Sequence, residues 1–178
     1  MHISPSSAAR RVVALAALVL AATWLVADGR PVSAQEPSRR PMTFLDMQQF
    51  RQVGSPTPSP DRKWLLYTLS TPDWKEARRQ TDLYLVSLSD GAASTRQMTF
   101  TKEKNEASPA WAADGSFFLF LSNRDAPEND ATRNQLYMMR PDGGEAQRLT
   151  DAKQGVLDFA VTSGGEWLAY RTGKAGEE

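Results

Sequence analysis

The chain has 178 residues, 40% of them apolar, with 21 basic and 21 acidic side chains, no cysteine and a single histidine, His2. The balanced charge leaves no basic footprint for nucleic acid, and the lack of cysteine excludes disulfides, thiolate metal sites and a cysteine nucleophile. The apolar fraction is enough to form a core.

The N-terminus has the pattern of an export signal. Arg10 and Arg11 precede an uncharged apolar run over residues 12–27, which is shorter than the roughly 20 residues needed to span a bilayer. The small residues Val-Ser-Ala before Gln35 match a signal-peptidase site. We therefore predict a signal peptide over residues 1–34, with an uncleaved N-terminal anchor as the alternative.

Cleavage would remove the only histidine. Ser-His-Asp and Cys-His sites need an imidazole to take the proton of the nucleophile, and the sequence contains no Gly-x-Ser-x-Gly or His-Glu-x-x-His motif. We therefore expect no catalytic residue, no metal site and no cofactor in the mature chain. By itself it is not a complete hydrolase.

A short helix is predicted in a lead-in segment, residues 35–58. Thr43 and Asp46 have the spacing of a capping box. The apolar residues that fit one helical face are Phe44, Leu45, Met47, Phe50 and Val53. The helix is expected to stop at Gly54 and to pack on the edge of the fold, with recognition of a partner as the alternative.

The rest of the chain is repetitive. Asp61 and Asp114 lie 53 positions apart, as do Tyr84 and Tyr137. A third copy begins around Gly164 and is incomplete. A period of this length is typical of repeats that each form one supersecondary unit and stack on their neighbours.

Each copy is predicted to form four antiparallel strands. Segments such as 108–111 and 157–160 supply a first strand, and an Asp-Gly or Gly-Gly turn leads to the second. In the first copy Arg62 takes the glycine position, which predicts a different turn or local strain.

The second and third strands are apolar on both faces, as in residues 117–121. Such strands belong to sheets covered on both sides, since a sheet facing solvent would alternate apolar with polar residues. We predict an all-β fold, a partial β-propeller with two four-stranded blades and the start of a third over residues 59–178. A β-sandwich with accidental self-similarity is the alternative.

Two polar stretches, residues 72–81 and 123–134, are the longest between predicted strands. Their charged residues are Lys75, Glu76, Arg78 and Arg79 in the first and Asp125, Glu128 and Asp130 in the second. A functional interpretation is that these loops border the entrance of a channel or form a cation site, but the acidic residues lack the spacing of a calcium loop. We interpret both as solvated hairpin loops.

Five segments together carry a family resemblance. They are residues 42–46 (MTFLD), 59–68 (SPDRKWLLYT), 81–86 (TDLYLV), 108–111 (SPAW) and 121–125 (LSNRD). The chain resembles the N-terminal part of bacterial serine peptidases of the prolyl oligopeptidase family, in particular the acylaminoacyl-peptidase and dipeptidyl-peptidase branches. The resemblance covers residues 42–172.

This resemblance implies a propeller that restricts the access of short peptides to a C-terminal α/β-hydrolase domain, which is absent from the chain and carries the Ser, Asp and His of the triad. The expected partners are that domain and peptide substrates, with no nucleic acid and, after signal cleavage, no membrane. The dipeptidyl-peptidase branch binds the amino terminus of its substrate with a Glu pair. Glu177 and Glu178 only superficially suggest that pair, so no site residue is carried over. The protein is expected to be periplasmic or secreted.

The alternative function is a non-catalytic TolB-like periplasmic propeller that acts as a protein-interaction scaffold, since TolB-like proteins share some of the repeat motifs. They place a sizeable α/β domain before the propeller, whereas only residues 35–58 lie between the predicted cleavage site and the first repeat. This spacing favours the peptidase. A stand-alone scaffold of three blades would expose apolar strands on both outer faces.

Overall fold

The computed structural model describes residues 40–130 and 132–173, and every structural statement below concerns these residues. The predicted signal peptide, residues 1–34, lies outside them, as do Glu177 and Glu178. Among the described helices, none is long and apolar enough to cross a membrane. The three sheets belong to one compact unit that begins at Met42.

The described chain forms three antiparallel sheets, which we name blades 1, 2 and 3. Blade 1 contains β1 (Gln52–Pro58), β2 (Trp64–Asp73), β3 (Arg78–Ser87) and β4 (Arg96–Gln97). Blade 2 contains β5 (Glu106–Trp111), β6 (Phe118–Ser122), β7 (Gln135–Arg140) and β8 (Gly143–Arg148). Blade 3 contains β9 (Val156–Val161) and β10 (Leu168–Thr172). In each sheet the spatial order of the strands follows the sequence, so the predicted all-β fold with four-stranded blades is confirmed.

The first blade begins earlier than residue 59. Its first strand, Gln52–Pro58, pairs with β2 and lies within the segment 35–58 that the sequence assigns to a lead-in. This first strand therefore belongs to the repeat, and blade 1 begins at Gln52.

The repeat extends to the hydrogen-bonding register. Leu66 pairs with Leu85 in blade 1, and the residues 53 positions later, Leu119 and Met138, pair in blade 2. The pairing register of the first strand shifts between Gly54 and Thr57 in blade 1 and between residues 107 and 110 in blade 2. Both blades thus carry the same bulge, a local kink that increases strand twist.

The blades stack face to face. The buried residues between blades 1 and 2 are Leu66, Leu83, Leu85, Met98, Phe118, Phe120, Tyr137 and Met139. Those between blades 2 and 3 are Leu119, Leu121, Leu136 and Val156. All five residues of β6 are buried, because the blade is covered on both sides. This is the arrangement that the doubly apolar strands predict.

The turn between the first two strands of each blade has the same backbone in all three copies. Gly115 and Gly165 have φ angles of 72° and 71°, and Arg62 has a φ of 58°. Each donates its N–H to the carbonyl three residues earlier. Of the two expectations for Arg62, the structure shows local strain within an unchanged turn, since the left-handed region is unfavourable for a residue with a Cβ.

The predicted helix is present but short. Helix α1 spans Phe44–Gln48. The capping box is formed, because Thr43 Oγ1 accepts from the Asp46 N–H at 3.3 Å and Asp46 Oδ2 accepts from the Thr43 N–H at 2.8 Å. The predicted end at Gly54 is wrong. Val53 lies instead in β1, opposite Leu69, because pairing with β2 satisfies the backbone there.

Candidate functional site

A buried carboxylate connects the first two blades. Glu106, the first residue of β5, is 1% exposed. Its Oε1 accepts hydrogen bonds from Thr101 Oγ1 at 2.8 Å and Ser122 Oγ at 3.1 Å. Arg124 Nη2 donates to the same oxygen at 3.1 Å, and Thr99 Oγ1 donates to Oε2 at 3.2 Å. A buried charge is tolerated when it is paired and hydrogen-bonded, and these donors meet that requirement.

The guanidinium that pairs with Glu106 also covers two aromatic rings. The Cζ of Arg124 lies 5.4 Å from the centroid of Phe120 and 4.8 Å from that of Tyr137. The Tyr137 hydroxyl donates to Asp125 Oδ2 at 2.5 Å. Burial raises the pKa of Tyr137, and this hydrogen bond raises it further. The site is thus a closed set of charge and aromatic contacts within blade 2, joined to the segment before β5 through Thr99 and Thr101.

A second carboxyl lies close to this network. Asp82 on β3 is 8% exposed, and its Oδ1 has no hydrogen-bond partner among the described residues. The Gln80 side chain approaches Oδ2 at 3.5 Å. Burial raises the pKa of Asp82 to about 6, and the negative charge of Glu106 adds to the rise.

Sequence reasoning missed Glu106, although the repeat contains a signal for it. Glu106 pairs with Ser122, and the corresponding pairs are Val53 with Leu69 in blade 1 and Val156 with Thr172 in blade 3. A charged residue therefore stands where both neighbouring copies have valine. Aligning the inner strands as well as the turns would have identified it.

A groove of about 630 Å³ runs between the outer parts of blades 1 and 2. Its lining includes Arg96, Phe100, Arg124 and Glu145. Arg96 Nη2 donates to the carbonyl of Pro141 at 2.8 Å, which links the blades across the groove. The described residues contain no group of three or more His, Asp or Glu side chains suited to a metal ion.

The polar stretch at residues 72–81 is a tight hairpin. Strand β2 runs to Asp73 and β3 resumes at Arg78, so the turn is shorter than the sequence predicts. Arg78 pairs with Asp73 at 3.6 Å and with Glu103 at 3.4 Å. Arg79 donates to the Ser70 side chain at 2.9 Å. These charges are engaged within the chain, as expected of a structural hairpin.

The second stretch, residues 123–134, is also held by internal contacts. Besides the bond from Tyr137 to Asp125, Asp130 pairs with Arg133 at 2.9 Å. A short 3-10 helix, Glu128–Asp130, lies within it. The stretch joins β6 to β7 in the manner of a hairpin connection.

The expected packing of helix α1 is wrong within the described residues. Phe44 is 67% exposed and Leu45 is 64% exposed, and no residue of the helix is buried. Together with Trp74, at the tip of the β2–β3 hairpin, they line a depression of about 250 Å³. The helix is held by its capping box rather than by burial.

No protein-family model matches the chain, but three curated bacterial proteins are similar to it, among them the following two. Dipeptidyl-peptidase 5 of Porphyromonas endodontalis is 28% identical over 160 residues, which is 89% of this chain and 21% of that protein. The uncharacterized peptidase YuxL of Bacillus subtilis is 30% identical over 116 residues, 65% of this chain and 16% of that protein. The chain therefore spans about a fifth of the length of these relatives or less.

Solved structures share the blade architecture. Acylaminoacyl peptidase of Pyrococcus horikoshii matches 74% of this chain and 18% of its own, with a TM-score of 0.57 and 15% identity. A putative TolB from Agrobacterium tumefaciens matches 68% of this chain and 38% of its own, with a TM-score of 0.50 and 20% identity. At these identities the structures show the fold alone. The two relatives confirm the resemblance to the N-terminal propeller portion of bacterial peptidases, and the solved structures confirm the propeller fold.

Proposed function

We propose that the chain is the N-terminal propeller segment of an exported serine peptidase. In this proposal it restricts the access of short peptides to a C-terminal α/β-hydrolase domain that lies outside the 178 residues. The observation that carries the proposal is the similarity to dipeptidyl-peptidase 5 over 89% of the chain. Because the match occupies 21% of that protein, the relative has ample further sequence for a catalytic domain.

Restriction of access requires a rigid wall, and the described blades have the contacts for one. The apolar core between blades 1 and 2 includes Phe118 and Phe120, both fully buried. Trp111 Nε1 donates to the Thr57 carbonyl at 3.0 Å, which joins the inner strands of the two blades. Glu106 binds Thr99 and Thr101 of the segment that leads from blade 1 to blade 2. Such a wall admits an extended peptide and excludes a folded protein by size, while the triad performs the chemistry.

Export is part of the same proposal. The apolar run over residues 12–27 and the small residues before Gln35 support a cleaved signal peptide. N-terminal sequencing of the protein recovered from a secreting host tests it. We expect the mature chain to begin at Gln35, and recovery of an intact Met1 in the cytoplasm would contradict export.

The coding DNA downstream of Glu178 provides the most direct test. We expect an open frame that encodes Gly-x-Ser-x-Gly, followed by an Asp and then a His, because that is the order of the triad in α/β-hydrolases. A continuation made only of further blades, without these motifs, would overturn the peptidase. That result is what the TolB-like scaffold predicts, which has support at the level of the fold alone.

A chain extended through those motifs should hydrolyse a chromogenic dipeptidyl substrate. A serine-directed inhibitor should abolish the turnover, and so should replacing the serine of the Gly-x-Ser-x-Gly motif with alanine. An extended, folded chain without turnover on dipeptidyl, aminoacyl or acylaminoacyl substrates would contradict the proposed reaction.

A further inference from the structure

The segment that leads from blade 1 to blade 2, residues 98–105, is here named the crossover. It is held by β3 through polar contacts. Thr99 Oγ1 accepts from the Leu83 N–H at 2.9 Å. The Glu103 N–H donates to the Gln80 side chain at 3.1 Å, and the same side chain donates to the Thr101 carbonyl. The crossover is therefore bound both by the β3 backbone at Leu83 and by the side chain of Gln80.

The corresponding segment between blades 2 and 3 is held differently. Gln135 accepts from the Ala152 N–H at 3.0 Å and from Thr150 Oγ1 at 2.8 Å, and it donates to the Ala152 carbonyl at 2.8 Å. The residue 53 positions earlier is Asp82. An amide both donates and accepts, whereas an ionised carboxylate only accepts. Blade 1 therefore has a carboxyl where blade 2 uses a neutral amide.

Two buried carboxyls, Asp82 of blade 1 and Glu106 of blade 2, lie beside the Thr99 hydroxyl. Thr99 Oγ1 donates to Glu106, and it also interacts with Asp82. A hydroxyl has a single proton to donate. Glu106 has three further donors, Arg124 among them. Asp82 has the 3.5 Å contact with Gln80, and its Oδ1 is without a partner in the described part of the chain.

The charges around Asp82 do not compensate for this shortage. The titratable and charged groups near it are Glu106 on β5, Arg124 after β6, Tyr84 on β3, and Asp73 and Lys75 of the β2–β3 hairpin, which line the adjoining depression. Burial and the charge of Glu106 outweigh Arg124, and the pKa of Asp82 rises to about 6. Ionisation of Asp82 therefore costs more free energy in the closed structure than it does in water.

We propose that the carboxyl of Asp82 is a proton-operated latch on the crossover. When it is protonated, it is neutral like Gln135 in blade 2 and is buried without an unpaired charge, and the crossover stays closed. When it is ionised, it is a second buried carboxylate beside Glu106, with the Thr99 hydroxyl already donated to Glu106 and its own Oδ1 unpaired among the described residues, and the crossover opens more readily. This is a property of the joint between the first two blades, and it does not depend on the proposed peptidase activity.

The direction with pH follows from linkage. An Asp in an opened crossover titrates near 3.9, and in the closed structure the pKa is about 6. The closed state therefore binds more protons between these values, and its stability falls as pH rises from about 4 to about 6. With these two values, the opening constant increases about tenfold between about pH 5 and about pH 7.5.

Hydrogen exchange of the full chain tests the latch. Protection of the amides of residues 99–106, corrected for the intrinsic chemical rate, should fall about tenfold between about pH 5 and about pH 7.5. Asp82→Gln, which copies blade 2, should remove this pH dependence and remain protected at both values. Glu145→Gln removes an exposed carboxyl in blade 2 and should behave as the unmodified chain.

Two results would overturn the latch. One is an unmodified chain whose protection at residues 99–106 is the same at both pH values. The other is an Asp82→Gln chain with an undiminished pH dependence. If Asp82→Gln does not fold, carbon-detected NMR titration of the unmodified chain replaces it. A midpoint for Asp82 near 6 that coincides with the loss of protection supports the latch, and a midpoint near 4 rejects it.

Discussion

At the scale of single residues, Arg62 is a site where the repeat conflicts with its own turn. Its φ of 58° matches the 72° of Gly115 in the next copy, but it has a Cβ. Arg62→Gly should therefore stabilise blade 1 by about 0.5 kcal/mol, since relief of the left-handed strain exceeds the added freedom of the unfolded chain. The opening free energy of β2 amides in native-state hydrogen exchange measures this change.

Placing a side chain at Gly115, the equivalent turn position in blade 2, is the matched control. A Cβ at Gly115 would meet Pro60 Cδ at 3.7 Å, an ordinary contact, so Gly115→Ala tests the backbone alone. It should cost about 1 kcal/mol. A destabilised Arg62→Gly would show that contacts of the arginine side chain outweigh the strain.

Glu106 is the residue at which the repeat is least informative. Val53 and Val156 hold the corresponding positions, yet Glu106→Val should destabilise the contact between blades by about 3 kcal/mol. The substitution leaves Arg124 and three hydroxyls without their acceptor. Exchange of β5 and β6 amides measures the loss, and a cost within about 0.5 kcal/mol would mean that water replaces the carboxylate at no penalty.

At the scale of elements, the repeat predicted the strands because it is a local pattern. The 53-residue spacing of Asp61 and Asp114 implies that the pairing of Leu66 with Leu85 recurs 53 positions later, as it does in blade 2. The predicted helix was too long, because the spacing of apolar residues does not distinguish one face of a helix from a strand. Val53 fits both, and pairing with β2 decided for the strand.

The candidate site was less predictable for a related reason. Its donors, Thr99, Thr101, Ser122 and Arg124, are polar residues of ordinary frequency, and only the stacking of two sheets brings them to one carboxylate. Asp82 likewise has no signal of its own. Asp82 becomes notable only when its burial is known and when Gln135, the equivalent residue of blade 2, is seen to hydrogen-bond the segment that leads to blade 3.

Blade 2 is buried on both faces, so the stability of the protein should be most sensitive to shortening the side chains of its strands. Leu119 on β6 is 2% exposed and contributes to the core shared with blade 3. Leu119→Ala should cost about 3 kcal/mol through lost burial and the cavity left behind. Leu157→Ala, on β9 with the side chain 53% exposed, is the control and should change stability by less than about 0.5 kcal/mol. Equal costs at the two positions would contradict the stacking order.

At the scale of the whole molecule, the described blades present apolar faces at both ends of the stack. On blade 1, the face opposite Leu66 carries Tyr67 and Tyr84, whose rings stack at 5.7 Å. On blade 3, Trp167 is 74% exposed. Propellers cover such faces by closing the ring. The mature fragment, residues 35–178, should therefore self-associate or remain partly unfolded.

Sedimentation and thermal scans measure this outcome in the purified fragment. We expect a mass above that of one chain, or a broad transition without cooperativity, because exposed strands and apolar patches favour association. Trp167→Lys should lower the association by replacing an exposed aromatic side chain of blade 3 with a charged one, whereas Glu145→Lys, on an exposed site of blade 2, should leave it unchanged. A monodisperse monomer that unfolds cooperatively would mean that two and a half blades bury enough surface to be stable alone. The exposed apolar faces would then no longer be a physical reason to expect further blades, although the relatives are long enough to contain them.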